Sequence, residues 1–549
     1  MDEKRRAVDV ERLEKRLGSL KRIRDPFEKR MNEAIRYVLP YQHSMDPDAD
    51  ASDYEDNRYD ATASEAATSL ADGMLGNLSP PTVEWFSFSA VVNELNDLPH
   101  IREYFQEVNE RVREAINRTN FYDIAPTIYK HAVALETVSA MIGKDPDTGT
   151  AVLSVIPPRE IYIANDAYGR VEAVYREYKL TAEQAANLWP EALDKMSDSL
   201  RTALDQNPDA EYKFVTVVQK RHNRNPELQD VLNMPWAGYT FQSGQKELIE
   251  ETGFRTIPIP TWRWEVRGRD PYGYGLTTEA MPDIKTLNEI VRTYLAVGQK
   301  FADPPTYFPE QMADDDEYST EAGFVGFYKD PGQLPIQLPP QGSLASIERS
   351  VTMWQEKIRS IYKVRYFMML MQLEQPGRTA YEIRERKIEK ITAMGSIVGR
   401  CQQEFLTPFL ARMFWIEQDA GRLPDPPQEL VDSGMMVDFI GPFAQAQKEV
   451  TETTGIVSAI ENSLPILQIF PEARMKFNPE KIIDDIMVAA NMPEKNFATE
   501  EEYAQRQAAA QQQAAEAAAA EKLKALGGAA PAFTNTPQDN SIASQILGG

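Results

Sequence analysis

Carboxylates apart, the side chains able to do chemistry in this chain are few and scattered. There are four histidines, His43, His100, His131 and His222, and one cysteine, Cys401. A catalytic nucleophile needs a base within hydrogen-bond reach. A structural zinc site needs four thiolate or imidazole ligands at close spacing. Neither pattern occurs, and a single cysteine excludes an intrachain disulfide and points to a reducing compartment. Asp46, Asp48 and Asp50 open like a calcium loop. Such a loop requires Gly at its sixth place and Glu at its twelfth, and here those places hold Ala51 and Asn57. Gly273-Tyr274-Gly275 lacks the Lys of a phosphate loop and reads as a turn before a helix. No G-x-x-x-x-G-K-[ST] occurs, so the chain supplies no P-loop ATPase. The 84 acidic residues are too many to single out a catalytic pair. The expectation is no catalytic residue, no metal and no cofactor.

Charge narrows the partners. The net charge is −25, from 59 basic and 84 acidic residues. A protein that grips nucleic acid displays basic patches to the phosphates. An acidic wall repels DNA and keeps it from sticking, which favours a conduit over a clamp. The 549 residues, 42% hydrophobic, suit a globular protein of several modules. No run of about 18 apolar residues exists, so no membrane span is expected. The opening MDEKRRAVDVERLEKRL reads as charged helix rather than a signal peptide.

The elements that must position any site follow from periodicity. Residues 1–40 read as helix, interrupted at Asp25-Pro26. A second helix starts near Asp60, with Thr62 and Glu65 as a capping box, and ends before Ser79-Pro80-Pro81. Residues 99–118 form an amphipathic helix. From about 150 the text turns to strands, AVLSVIPPREIYIAND, VEAVYREYKL, YKFVTVVQKRH and the stretch 236–264, with a short helix capped by Thr181 and Gln184. Residues 1–276 read as one mixed α/β module.

Two seams then repeat one spacing, 3-4-3-4-3. The first is Ile284, Leu287, Val291, Tyr294, Gly298 and Phe301; the second is Leu344, Ile347, Val351, Trp354, Ile358 and Ile361. Each suits helix-on-helix packing over at least roughly 27 Å. On spacing alone, two core helices of any helical protein fit equally. Between them lie about 40 residues rich in Pro, Gly and acid, including Asp314, Asp315, Asp316 and Glu317; an excursion of this length is usually functional. MMLMQLEQPG follows at 368–377, either a flexible apolar loop or a buried helix end. Thr379 and Glu382 cap a helix running to about Trp415, kinked at Pro408. Its cluster of Arg378, Arg384, Arg386, Lys387 and Lys390 could face DNA, although with so many acids present the better reading is local neutralisation. Residues 444–490 read as helical. A last helix starts at Thr499, becomes Ala/Gln-rich and ends at Gly527-Gly528 before a disordered tail.

Three blocks resemble the portal, or head-to-tail connector, family of short-tailed bacteriophages. They are RYDATASEAATSLADGMLGNLSPPTVEWFSF at 58–88, GRDPYGYGLTTEAMPDIKTLNEIVRTYLAVGQKFADPP at 268–305 and PGRTAYEIRERKIEKITAMGSIVGRCQQEFLTPFLARMF at 376–414. The resemblance implies an α+β, mainly helical fold with wing, stem, clip and crown, assembled as a cyclic ring of twelve subunits around a DNA channel. The implied parts are a wing at 1–276, stem helices at 277–304 and 344–367, and a clip at 305–343. A tunnel loop at 368–379, a wing helix and return strand at 380–443, a crown at 444–500 and the Ala/Gln-rich helix and tail at 501–549 follow. Ile284, Leu287, Val291, Tyr294, Leu344, Ile347, Val351, Trp354 and Ile358 would pack the stem. Trp354, Phe409 and Trp415 would supply buried area between subunits. Lys300, Lys363, Arg365, Met369, Leu370, Met371 and Gln372 would meet the duplex weakly and without sequence preference. Asp314, Asp315, Asp316 and Glu317 would meet clip partners.

The implied partners are further copies of the chain, double-stranded DNA, the terminase large subunit, a tail adaptor, and the major capsid and scaffolding proteins. The implied place is the virion portal vertex, with the host cytoplasm during assembly. Two other classes remain open on the residues alone: a helical scaffold or adaptor of a virion, and a carboxylate-based hydrolase with an unread site.

Overall fold

The computed structural model describes residues 8–40, 58–145, 147–228, 230–309, 322–328, 336–337, 344–364, 395 and 397–445. The first helix, α1 (Val10–Val38), buries Val10, Leu13, Leu17, Leu20, Arg24, Phe27, Met31, Ala34, Ile35 and Val38, a stripe at three- and four-residue spacing. Asp9 caps it by accepting from the Arg12 N–H at 3.1 Å. The expected interruption at Asp25-Pro26 is absent, because α1 runs straight through Pro26. A proline here deprives only the Arg22 carbonyl of its donor. Both residues are exposed, so water serves that carbonyl, while buried Leu20, Arg24 and Phe27 hold the helix on either side.

Helix α2 (Thr62–Leu78) corrects a second expectation. Its N-terminus is closed by Asp60, whose carboxylate accepts from the Thr62 N–H at 2.8 Å, and Thr62 makes no cap. Thr62 lies inside the first turn and is buried, so its hydroxyl does not reach the Glu65 N–H. Strand β1 (Phe86–Ala90), α3 (Pro99–Arg118) and α4 (Phe121–Leu135) follow. The chain then alternates β2 (Thr137–Lys144), β3 (Ala151–Ile156), β4 (Ile161–Asn165) and β5 (Val171–Thr181) with α5 (Ala182–Leu188) and α6 (Asp198–Gln206). Next come β6 (Glu211–Lys220), β7 (Trp236–Gln242), β8 (Glu250–Phe254) and β9 (Thr261–Arg263).

The long helix α7 (Leu276–Ala302) leads to three short strands, β10 (Thr306–Pro309), β11 (Val325–Tyr328) and β12 (Ile336–Gln337). Helix α8 (Leu344–Ile361) returns, and α9 (Thr407–Asp419), α10 (Gln428–Ser433) and β13 (Met435–Phe439) close the described chain.

Four sheets result among the described residues, and the fold is α+β with mostly antiparallel pairing. Strands β4-β5-β6-β7-β8 form an antiparallel meander, β3-β2-β9 a three-stranded sheet and β1-β13 a ribbon. In the β11-β10-β12 sheet, β10 pairs parallel to β11 and antiparallel to β12. The meander is covered on both faces. Val10, Leu13, Leu17 and Leu20 of α1 pack on Tyr162, Tyr175, Val215, Val217 and Phe241. On the other face, Ala182, Ala185, Leu200 and Ala203 pack on Phe214. Thr181 and Gln184 make a complete reciprocal capping box at α5.

The largest core joins α2, α3, α4, the first half of α7, α9 and the three-stranded sheet. Phe409 stacks on Phe121 with ring centroids 4.5 Å apart and is fully buried in that core. It therefore does not face a neighbouring subunit, contrary to the sequence reading. Trp415 is half-buried against the same core, with the Arg255 guanidinium 4.6 Å over its ring. The irregularity expected at Pro408 sits just ahead of it. Helical residues 397–401 pass through a π-helical turn, Gln402–Leu406, in which the Thr407 N–H donates to the Gln402 carbonyl, before α9 begins. Pro408 cannot donate to the Glu404 carbonyl, and widening the preceding turn by one residue is how the helix accommodates it.

Candidate functional site

Helices α7 and α8 lie antiparallel as a pair, and their near ends are held by polar contacts to the main core. Ile284, Leu287 and Ile358 are buried; Val291, Tyr294, Leu344, Ile347, Val351 and Trp354 are half-buried along the mutual seam. At the near end, buried Thr277 and fully buried Tyr362 share a hydroxyl hydrogen bond of 2.8 Å, and Thr277 also donates to the Val133 carbonyl at 3.0 Å. Lys357 donates to Asp283 at 2.9 Å and Gln355 to Asp60 at 2.9 Å. The buried Asn288 side chain accepts from the Tyr59 N–H at 2.7 Å. Lys285 pairs with Glu33 of α1 at 2.5 Å.

Glu136 governs the start of α7. It follows the last residue of α4 in the left-handed region, at φ 62°. Its carboxylate accepts from both the Thr278 N–H and the Thr278 hydroxyl at 2.6 Å. A carboxylate there meets the unpaired N–H groups and the positive end of the helix dipole. Its main-chain carbonyl accepts from the Trp264 N–H at 2.9 Å. Gly273 passes so close to that carbonyl that a methyl group would overlap it, and a methyl on Gly275 would meet the Trp264 ring. Burial pushes the Glu136 carboxyl up from its ordinary value, against the Thr278 hydrogen bonds and Arg30, which favour the charged form. A cavity of about 350 Å³ opens beside it, walled by Phe27, Met31, Leu135 and Met281. His131, on α4, is held neutral: burial first and Lys130 second lower it to about 4.

Past Asn288 the pair has few neighbours among the described residues. Leu295 is 48% and Phe301 40% exposed on α7, while on α8 Met353, level with Leu287, is 60% exposed. An open cleft of about 670 Å³ runs between Lys285, Glu289, Ile290 and Thr293 on one helix and Ile347 and Ser350 on the other. Lys300 is half-buried in the last turn of α7. Lys363, two residues past α8, has φ 54° and precedes buried Val364. Arg365, Met369, Leu370, Met371, Gln372, Asp314, Asp315, Asp316 and Glu317 lie outside the described residues, as do Arg378, Arg384, Arg386, Lys387 and Lys390 and the acidic loop at Asp46, Asp48 and Asp50.

The sequence reading missed Glu136 and Tyr362 as anchors. The signal was present at Glu136, a lone carboxylate inside the apolar run HAVALETVSAMIG. Among the described residues no group of three or more His, Cys, Asp or Glu could hold a metal, and no helix is long and apolar enough to cross a membrane.

Comparison with known proteins agrees with this geometry. Residues 10–497 match the family of bacteriophage head to tail connecting proteins. Among curated relatives, a probable portal protein of Bordetella phage BPP-1 is 26% identical over 479 residues, covering 85% of each chain. The portal protein of Salmonella phage epsilon15 is 26% identical over 497 residues, covering 87% of this chain and 86% of its own. With one family spanning nearly the whole chain and long relatives on either count, this protein belongs to the bacteriophage head-to-tail connecting protein family.

Proposed function

We propose that the chain is the subunit of a phage portal, a ring of twelve copies at one capsid vertex through which DNA is packaged and later ejected. It is a structural protein and not an enzyme. One observation carries the reading: α7 and α8 form a long antiparallel pair, fixed at one end and exposing Leu295 and Phe301 toward the other. Monomeric soluble proteins rarely leave such helices half-covered, and a cyclic assembly covers them with heterologous contacts that close. The pair would be the stem, with the excursion at 305–343 as the clip at its far end. There the terminase large subunit would dock during packaging and a tail adaptor afterwards, with Asp314, Asp315, Asp316 and Glu317 among the contacting residues. Major capsid and scaffolding proteins would surround the outer modules.

The duplex would move past a wall that is acidic overall. Lys300, Lys363 and Arg365 would give sparse phosphate contacts, and Met369, Leu370, Met371 and Gln372 a loop that touches without gripping. Each phosphate neutralised adds affinity and salt dependence, so few cations suit a moving polymer.

The test is light scattering after size exclusion, followed by end-on particle images. Twelve copies of 62.2 kDa give a species of about 750 kDa with a central hole. A stable dimer or tetramer without a hole would sink the reading and favour a virion adaptor.

A further inference from the structure

The sheet edges of this chain are treated unequally. Strands β1 and β13 pair in the register Phe86↔Phe439, Phe88↔Val437, Ala90↔Met435. The flanking bonds, Val91 N–H to the Gly434 carbonyl and Ile440 N–H to the Trp85 carbonyl, fix which residues bond across the ribbon. In an antiparallel ladder alternate residues turn their N–H and C=O outward. Phe86, Phe88 and Ala90 therefore face away on one side, and Met435, Val437 and Phe439 on the other.

On the β1 side asparagine amides stand in for a missing strand. Asn109 accepts from the Phe88 N–H at 2.7 Å and donates to the Phe88 carbonyl at 3.4 Å. Asn96 accepts from the Ala90 N–H at 2.9 Å and donates to the Ala90 carbonyl at 3.2 Å. The outer edge of β3 is closed in the same way: Asn120 accepts from the Leu153 N–H at 3.0 Å and donates to its carbonyl at 2.8 Å. No such amide stands at β13 among the described residues. The outward groups of Met435, Val437 and Phe439 have no hydrogen-bond partner among those residues either. An unblocked edge is a template for another strand, and folded proteins normally suppress one.

We infer that the open edge of β13 is an interaction surface that takes an extended segment of a neighbouring copy of this chain, adding a strand to the ribbon. The inference rests on the ring reading above and deepens it. Charge selects the occupant. Two copies of a chain carrying −25 repel across most of their surfaces. The ten residues of β1 and β13 hold one charge, Asp438, which accepts a hydrogen bond from the Ser89 hydroxyl. Exposed Val91 (53%), just past β1, and Met436 (41%), within β13, give the ribbon apolar surface. A nearly neutral, apolar-rimmed edge is where a like-charged copy can approach.

Hydrogen exchange on the unmodified chain tests this, comparing the unassembled subunit with the assembled ring. The expected result is three additional slow amides within 435–440 in the ring. An equal count in both forms overturns the inference, and protection that arises only when another capsid protein is added overturns the choice of occupant. Val437→Pro removes one outward N–H while keeping those of Met436 and Asp438, which bond to β1. Its ring yield should fall about tenfold at fixed concentration while the unassembled subunit melts as before; an unchanged yield counts against the edge. Should that variant not fold, the exchange comparison decides alone. A chain that never assembles removes the ring reading itself, a result distinct from a ring whose three amides still exchange freely.

Discussion

Arg263 of β9, 1% exposed, holds Glu404 of the π-helical turn in an ion pair of 2.6 Å. The same carboxylate also accepts from the Arg263 main-chain N–H at 3.0 Å, its Nε–H at 3.2 Å and Arg400 at 2.9 Å. The remaining guanidinium donors reach Asn165 at 3.2 Å and the Gly169 carbonyl at 3.1 Å. The widened turn and the pair explain each other, since the extra residue there brings Glu404 to the end of the three-stranded sheet. Glu404→Gln should cost about 3–5 kcal/mol, because it leaves a buried guanidinium without its counter-charge. The double variant Arg263→Leu/Glu404→Leu should be less harmful than either single change. Denaturant unfolding of the unsubstituted chain, Arg263→Leu, Glu404→Leu and the double variant checks this, and additive losses would show that the two residues act separately.

Glu136 should make stability fall as pH rises above 4.5. Its carboxyl is raised above 4.5, chiefly by burial. Below 4.5 both folded and unfolded chains hold the proton. As pH rises, the unfolded chain ionises first, so this contribution to stability is lost until folded Glu136 is charged too. Glu136→Gln should flatten that limb of the melting temperature against pH. Parallel curves for the two proteins would mean the carboxyl is not raised.

His131 should set the opposite slope, over the range from 6.5 down to about 4. It is lowered from 6.5 to about 4, so between those values the unfolded chain takes a proton that the folded chain refuses. Stability then falls as pH drops through 6.5 toward 4, by a total on the order of 3 kcal/mol. Replacing His131 with Leu should remove most of that fall, measured by urea titration at pH 7 and pH 4.5.

Two glycines should respond in opposite senses. Gly273→Ala forces a methyl onto the Glu136 carbonyl, which as backbone cannot move aside, and should cost several kcal/mol, at least about 3. Gly298, mid-helix in α7, has open space where a methyl would sit, with nothing within 4 Å. Gly298→Ala should stabilise the unassembled subunit by about 0.5–1 kcal/mol. If thermal melting of Gly298→Ala is unchanged or lower, the helix is not limited there by backbone entropy.

The long elements were readable because packing and periodicity agree in them. The 3-4 spacing from Ile284 to Tyr294 and from Leu344 to Ile358 marks the seam along which α7 and α8 touch. The strands from Ala151 to Phe254 were readable from β-branched and aromatic runs between turns. The misses have a common cause. Pro26 and Thr62 were assigned from local rules, and each was decided by something distant or deeper: buried neighbours across α1, and Asp60 ahead of α2. Phe409 shows the limit of residue type alone, since an aromatic suited to an interface suits a core equally, and here it stacks on Phe121. Strands β1 and β13 are short, and each finds its pairing partner far off in sequence, as with Phe88 and Val437. Only the folded chain brings them together.

Among the described residues the paired helices are built in at one end, and mechanically that makes them a cantilever. From Asn288 to Ala302 the free arm is roughly 20 Å long at 1.5 Å per residue. A sideways push at its tip acts as a bending moment on the root. There it is resisted by the bond between Thr277 and Tyr362, the cap of Glu136 on Thr278 and the Lys357–Asp283 pair. A push along the axis is instead borne by α7 and α8 in compression. Stiffness in this protein is therefore a property of a few side chains at the root, and softening any one of them would let the tip swing without altering a single residue at the tip itself.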